Sequence, residues 1–454
     1  MKKKALLNKK LKSFARIFKD HGYSCFLVGG ALRNFYAGLE PSDFDFATDA
    51  TPEAVVSMFR HVIPTGIRHG TVTVLYSGEQ YEVTTFRIES TYSNARHPDS
   101  VSYSNSIFED LKRRDFTINA IALDMNTGEL IDPHNGIKDI GIKLIRAIGD
   151  PLERFREDGL RIMRACRFTS QLNFRIEHET LSAMNKARKT LYSVSMERIR
   201  DEVIRILSTK KPSIALKIME QSSITALILP ELIACRGVMQ KGFHDFDVLD
   251  HLYYSCDGAD RNNLVVRLAA LLHDIGKPAS RDLDESGVYT FYNHDDVSAE
   301  IAERILKRFK FPNNLTRQTV HLVKNHMFNY TPEWSDAAVR RFIARVGIDS
   351  LDDLFALRAA DRFGMKNKTA DSPLLFEFRK RINTILENEK AFSIKDLDID
   401  GSILQRELKL KAGPVIGTIL HELFESVLDD PDLNTRKKLL EIADNFLKQH
   451  LGHR

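Results

Sequence analysis

Asp43 and Asp45 flank one phenylalanine in "PSDFDFAT" (41–48), shortly after the glycine turn of "FLVGGALRN" (26–34). Alternate residues of a strand point to one face, so the two carboxylates are expected side by side on a single strand. Adjacent carboxylates repel unless a cation lies between them, and a divalent ion such as Mg²⁺ is the usual solution. A solvated strand edge is the plain alternative. Gly29 and Gly30 let backbone N–H groups approach phosphate oxygens at the start of the following helix, which also carries Arg33. Glu82, in "YEVTTFR", is either a third acidic group or an exposed hairpin residue.

Three further sets carry possible chemistry. "RRDFTINA" (113–120) brings Arg113, Arg114 and Asp115 together. Guanidinium groups clamp phosphates while a carboxylate accepts from ribose hydroxyls, although a surface ion-pair cluster has the same composition. In "EDGLR" (157–161), Asp158 and Arg161 stand at i and i+3, which predicts one shared helix face. Ionised aspartate only accepts hydrogen bonds and guanidinium only donates, so the pair matches the amino-donor and ring-acceptor edge of cytosine and adenine. Uracil and guanine present the opposite polarity. Glu157 and Arg161 at i,i+4 equally make a helix-face salt bridge.

The third set is "DHLYYS", "LAALLHDIGKP", "NHDDVSAEIA", "VKNHMF" and "LRAADRFG". A buried His-Asp doublet in an apolar helix needs partners. His273 and Asp274, with His251 before and Asp361 after, offer mixed N and O ligands for Mg²⁺, Mn²⁺ or a transition metal. His294 and His326 are candidates for a second ion. A single histidine of this kind reads as a satisfied core residue; the ordered set is what favours metal.

The elements that must position these groups change character along the chain. Residues 4–20 read as an amphipathic helix and 24–30 as a strand entering the glycine turn. Thr51 and Pro52 open a helix, and 71–87 alternates as a hairpin about Ser77-Gly78. Residues 88–108 lack periodicity and are expected to form a mobile loop. From Asp150, an N-cap followed by Pro151, helical spacing takes over, with Ser195 capping another helix. The fold class expected is α+β: a small mixed β-sheet domain over 1–145, then helical segments at 146–240, 241–372 and 373–454.

A chain of 454 residues calls for two to four domains. Its 43% hydrophobic and 28% charged residues are those of a soluble globular protein, and no apolar run reaches membrane-helix length. "MKKKALLNKKLK" has basic residues but no apolar core, so it does not read as a signal peptide. Cys25, Cys166, Cys235 and Cys256 have neither zinc-ligand nor disulfide spacing, which fits a reducing cytoplasm. The net charge of +4 permits an anionic partner without requiring one.

Taken in order, "LVGGALRN…DFDFAT", "TGIRHGTVTVL", "EVTTFR", "EDLKRRDFTINAIA", "IDPHNGIKDI" and "IRAIGDPLERFREDGLRIMRACRF" resemble the class II tRNA nucleotidyltransferases. These are the CCA-adding enzymes of the polymerase-β-like superfamily, which also holds the bacterial poly(A) polymerases. The resemblance implies Mg²⁺ on Asp43 and Asp45, and nucleotide binding by Gly29, Gly30, Arg33, Arg113, Arg114, Asp115 and Asn119. It assigns base selection to Asp158 and Arg161, with Arg154 and Glu157 organising them. CTP, ATP and tRNA are the partners it implies. Asn34 departs from the pattern, since the family usually has aspartate after the arginine. "TGIRHGTVTVL" resembles the CCA-adding pattern, whereas the poly(A) polymerases carry a Gly-Arg-Arg-Phe stretch there. A full-length loop at 88–108 favours complete CCA addition over a CC-only or A-only enzyme. "LLHDIGKP" and its partners resemble the HD phosphohydrolases, a domain some CCA-adding enzymes carry, implying phosphatase or phosphodiesterase activity. An HD phosphohydrolase with an inactive RNA-binding head is the rival from another class. The helical tail, with its lysines, is expected either to contact tRNA or only to pack.

Overall fold

The computed structural model describes residues 8–41, 43–67, 70–89, 101–239, 246–285, 287–365, 372–389 and 391–450. The chain forms two compact units, residues 1–233 with 308–310, and 234–307 with 311–454.

The first unit is built on a seven-stranded sheet. Its strands are β1 (Phe26–Val28), β2 (Asp45–Thr48), β3 (Val62–Gly66), β4 (Thr71–Tyr76) and β5 (Glu79–Thr85). A two-stranded ribbon of β6 (Arg87–Glu89) and β7 (Val101–Tyr103) precedes β8 (Ala122–Asp124) and β9 (Leu130–Ile131). The order is β3-β4-β5-β2-β1-β8-β9, antiparallel except for the parallel pair β2–β5. Ser77 and Gly78 both adopt positive φ, the geometry a two-residue hairpin requires. Residues 90–100, the larger part of the expected loop at 88–108, lie outside the described residues.

Alternation along β2 sorts its side chains between two environments. Phe46 points to helix α1 (Lys9–Asp20), where Phe14 meets its ring at 4.8 Å, and Tyr81 of β5 meets Phe14 at 4.7 Å and Phe46 at 5.5 Å. Ala47 lies on the other face with Phe26, Val28, Phe86 and Ala122, covered by Leu111 of a short helix, Ile107–Lys112. Asp45 shares that second face at its open end.

The helical part begins with α2 (Pro151–Glu157), capped by Asp150 through Leu152 N–H and Glu153 N–H. It was expected to run through Asp158. Instead it stops at Glu157, Asp158 is extended, and α3 (Leu160–Leu172) starts anew. The break lies at Asp158, while Gly159 is already helical and packs so closely that a Cβ there would meet the carbonyl of Thr190 at 2.8 Å. A further helix, α4 (Met196–Leu207), follows Ser195, which stands at the N-cap position without a side-chain capping bond.

In the second unit, α5 (Val248–Gly258), α6 (Leu264–Leu272), α7 (His294–Arg308), α8 (Asn313–Asn325) and α9 (Leu351–Phe363) enclose a buried polar cluster. A small hairpin, Asp282–Leu283 with Tyr289–Thr290, interrupts them. Four later helices, from Pro373–Asn388 to Arg436–His450, complete the unit, with Leu404, Ile419, Leu423, Val427 and Leu439 in a core of their own. No helix among the described residues is long and apolar enough to cross a membrane.

Candidate functional sites

A cavity of about 520 Å³ opens on the first unit at the C-terminal end of β1. Gly29 takes φ +74°, a conformation that favours glycine, and a Cβ there would sit tightly, 3.3 Å from Asp45 Oδ2. Asp45 lines the cavity beside Glu82, its register partner on β5. Burial first, then the charge of Glu82, push the Asp45 carboxyl up from 3.8 to about 6; Asp43 adds to this, while Arg114 and Arg33 oppose it. Excess negative charge in a half-buried place is what a divalent cation would relieve, so the residues fit Mg²⁺. Asp43 is not on the strand as expected. It sits two residues ahead of β2 with φ +51° and does not line the cavity. The pair is therefore set by a turn, not by strand alternation.

A raised carboxylate has a consequence for stability. The cost to the folded state builds as pH rises from about 3.8, is full above about 6, and vanishes only well below 3.8, where the group is protonated in both states. Without metal, Asp45→Asn should therefore stabilise the protein at pH 7 by roughly 1–3 kcal/mol. Thermal melts in chelator would show it, with the gain shrinking toward pH 4. Equal melting temperatures at both pH values would contradict it.

Arginines make up much of the lining. Arg33, Arg113, Arg114 and Arg161 were expected there; Arg87, Arg164, Arg167 and Arg198 were not. Asp110, also unexpected, holds Arg113 at 2.5 Å and Arg114 at 3.0 Å while itself buried. Arg33 donates to Asn119 Oδ1 at 2.8 Å and to Asn34 Oδ1, so the amide at 34 still serves as its acceptor. Burial and the neighbouring Arg167 bring Arg33 down to about 10. Arg33, Arg164 and Arg167 gather around the Phe168 ring at 5.0, 5.7 and 4.4 Å, a concentration of positive charge suited to a polyphosphate.

Asp115 lines the same cavity but is fully engaged by protein. Its Oδ1 accepts from Phe116 N–H and Asn119 Nδ2, and its Oδ2 from Arg164 Nε and Nη2 at 2.7 and 2.6 Å. Burial alone would raise it; Arg164 and Asn119 overcome that and hold it at about 2. A ribose hydroxyl would have to displace one of these donors.

Asp158 and Arg161 both reach the cavity, although not from one helix face. Arg161 Nη1 donates to Glu157 at 2.6 Å and to the Arg154 carbonyl at 3.2 Å, and Nη2 to the Arg113 carbonyl at 3.2 Å. Arg154 pairs with Glu157 at 3.1 Å. Neither Arg154 nor Glu157 lines the cavity; both lie behind Arg161 as supports.

The second unit gathers all six predicted ligands. Asp274 Oδ2 lies 3.4 Å from His251 Nε2 and from His273 Nε2, while its Oδ1 lies 3.2 Å from His294 Nε2 and 3.5 Å from His326 Nε2. Asp361 Oδ1 approaches His251 Nε2 at 3.2 Å. Three of the rings are oriented from behind: Nδ1 of His273, His294 and His326 contacts the carbonyls of Ala270, Phe291 and Val323 at 3.1, 2.7 and 2.6 Å. An Nδ1–H on a carbonyl leaves Nε2 as the lone pair, the state a metal ligand needs. Among the described residues the buried Nε2 atoms of His294 and His326 make no hydrogen bond of good geometry, with Asp274 Oδ1 close by, so the donor set fits a cation. Burial opposes charge on His273, but Asp274 and Asp361 outweigh it and raise the ring to about 9. Lys277 Nζ, 2.5 Å from Asp274 Oδ2, was not anticipated.

Residues 25–146 match the poly A polymerase head domain, 173–235 the probable RNA and SrmB-binding site of polymerase A, and 288–443 a putative tRNA nucleotidyltransferase domain 2. The chain is 34% identical to the CCA-adding enzyme of Bacillus velezensis over 90% of each chain. It is 32% identical to that of Enterococcus faecalis, over 94% of this chain and 93% of the other. A CCA-adding enzyme of Lactobacillus helveticus is 50% identical over a shorter stretch, 47% of its length. The crystal structure of the Bacillus stearothermophilus CCA-adding enzyme in complex with CTP superposes with a TM-score of 0.76 at 26% identity, covering 98% of this chain and 99% of that one. A Thermotoga maritima CCA-adding enzyme complexed with tRNA shares the fold at 19% identity, with a TM-score of 0.57. A cavity joining an acidic strand end to a wall of guanidinium groups, on this head fold, defines a nucleotidyltransferase. The chain belongs to the CCA-adding enzyme family.

Proposed function

We propose that the protein adds C, C and A to tRNA 3′ ends, taking CTP and ATP and releasing pyrophosphate. The observation that carries this reading is the shared cavity: Asp45 and the Asp158–Arg161 couple open onto the same 520 Å³ space. A nucleotide there can place its triphosphate against Arg33, Arg164 and Arg167 and its base against Asp158 and Arg161. Asp43 and Asp45, with Glu82 beside them, would hold Mg²⁺, which supplies Lewis-acid activation of the attacking 3′-hydroxyl and the α-phosphate. The chain's own contribution is positioning and fixed positive charge for the polyphosphate. Asn119 and Asp115 hold Arg33 and Arg164 in place. The selection of C and A follows from an acceptor and a donor that leave unpaired groups against U and G.

The helical residues 146–240 would form the neck and body that meet RNA, and 241–372 an HD domain, with 373–454 as its helical tail. The histidine–aspartate cluster is the basis of a second activity, metal-dependent phosphate ester hydrolysis. Asp274 faces one pair of histidines with each oxygen, so it can serve two ions, whether Mg²⁺, Mn²⁺ or a transition metal. The family's chemistry and the reduced, buried cysteines suit the cytoplasm.

Purified protein given tRNAs ending before CCA, after C and after CC, with CTP or ATP separately, tests the assignment. Complete addition should require CTP for the first two positions and ATP for the third. Runs of A would point to a poly(A) polymerase, and arrest after CC or addition of A alone to a partial enzyme. No divalent-dependent incorporation would leave an RNA-binding head on a phosphohydrolase.

A further inference from the structure

A carboxylate that reads a base edge must be aimed, because the directions of its unused lone pairs decide which donors it can meet. Asp158 lies between two helices on an extended residue, so helical geometry does not fix its side chain. Two donors do. Leu160 N–H reaches Oδ1 at 3.0 Å, and Arg198 Nη2 reaches Oδ2 at 2.7 Å. The first is local. The second comes from α4, 40 residues along the chain, and Arg198 lines the same cavity. Among the described residues its buried Nη1 has no hydrogen-bond partner, so none of them holds this guanidinium elsewhere through that atom.

We propose that Arg198 is a specificity-determining positioning residue, which holds the Asp158 carboxylate as an acceptor of fixed direction for the amino group of the incoming base. The inference rests on the nucleotide-adding reading above. With Oδ1 and Oδ2 each accepting one hydrogen bond, about two of the four lone-pair sites remain for the base. Arg161 is held separately, by Glu157 and two backbone carbonyls, so loss of Arg198 frees the acceptor half of the reader and leaves the donor half in place. A carboxylate free to turn can meet the ring N–H of uracil or guanine while Arg161 meets the adjacent carbonyl. Discrimination then falls without loss of the polyphosphate site. Lysine would keep the charge but not the planar fork that fixes the angle.

The test uses the full-length protein and its Arg198→Met and Arg198→Lys variants. Single-nucleotide extension compares CTP with UTP on tRNA lacking CCA, and ATP with GTP on tRNA ending in CC. Calorimetric binding of CTP and UTP with Mg²⁺ accompanies it. Arg198→Met should lower the C:U and A:G ratios of kcat/KM by about tenfold or more, and narrow the CTP–UTP affinity gap. Arg198→Lys should fall between this and wild type. Ratios within about twofold of wild type in both variants overturn the proposal, even if overall rates drop, since uniform loss is what a merely structural arginine gives. If Arg198→Met does not fold, Arg198→Lys alone decides on the same ratios. A wild-type protein that fails to prefer C and A overturns the nucleotide-adding assignment itself; unchanged variant ratios on a selective wild type overturn only the part given to Arg198.

Discussion

Replacing Asp45 with asparagine should reduce nucleotide addition by about 10³-fold or more, while leaving the protein folded. The side chain keeps its volume and loses the charge on which cation binding at the end of β2 depends. Asp45 lines the cavity next to Glu82 and within the field of Asp43, and burial raises its carboxyl to about 6, so its loss should exceed that of either neighbour. The same substitution relieves an electrostatic cost in the metal-free protein, so activity and stability should move in opposite directions. Incorporation of labelled CTP into tRNA, with melts in chelator alongside, measures both. Addition unaltered by Asp45→Asn would sink the two-carboxylate mechanism.

Loss of the shared ligand of the second unit should be as decisive. Asp274→Asn is expected to lower metal retention by more than about 100-fold, since the carboxylate faces both groups of histidines. Any metal-dependent phosphatase or phosphodiesterase activity should disappear with it, while CCA addition stays within about twofold of wild type. Elemental analysis after dialysis reads the metal directly, independent of turnover. Retention equal to wild type would mean the cluster is a hydrogen-bonded core and not a metal centre. Proton linkage adds a second check. His273 is raised to about 9, so its proton stabilises the metal-free fold fully below about pH 6.5 and that contribution is lost as pH rises through 9. A metal must displace this proton, so uptake near pH 7 should release protons and tighten as pH rises.

The two sites were legible in the sequence to different depths. The six histidines and aspartates of the buried cluster were named in advance, though not Lys277, because His and Asp are costly to bury and an ordered set of them inside apolar helices implies mutual partners. The nucleotide site was named in its motifs but not in its supports. Arg164, Arg167 and Arg198 stand on helices where arginine is ordinarily a solvated residue. Asp110 looks like any acid in the first turn of a short helix. Only the fold shows that Arg164, Arg167 and Arg198 line the cavity and that Asp110 pairs with Arg113 and Arg114.

Local pattern was also misleading where a backbone break decided the geometry. Alternation placed Asp43 and Asp45 on one strand, yet a left-handed residue puts Asp43 in the preceding turn. Spacing placed Asp158 and Arg161 on one helix, yet Asp158 is extended and divides it, beside a Gly159 packed against the Thr190 backbone. By itself the sequence determined the α+β class, the order of the motifs and the family, because these depend on residue types and short-range spacing. Only the tertiary structure decided which atoms face one another across the cavity. That depends on where long-range packing interrupts a strand or a helix, and neighbouring residues do not encode those interruptions.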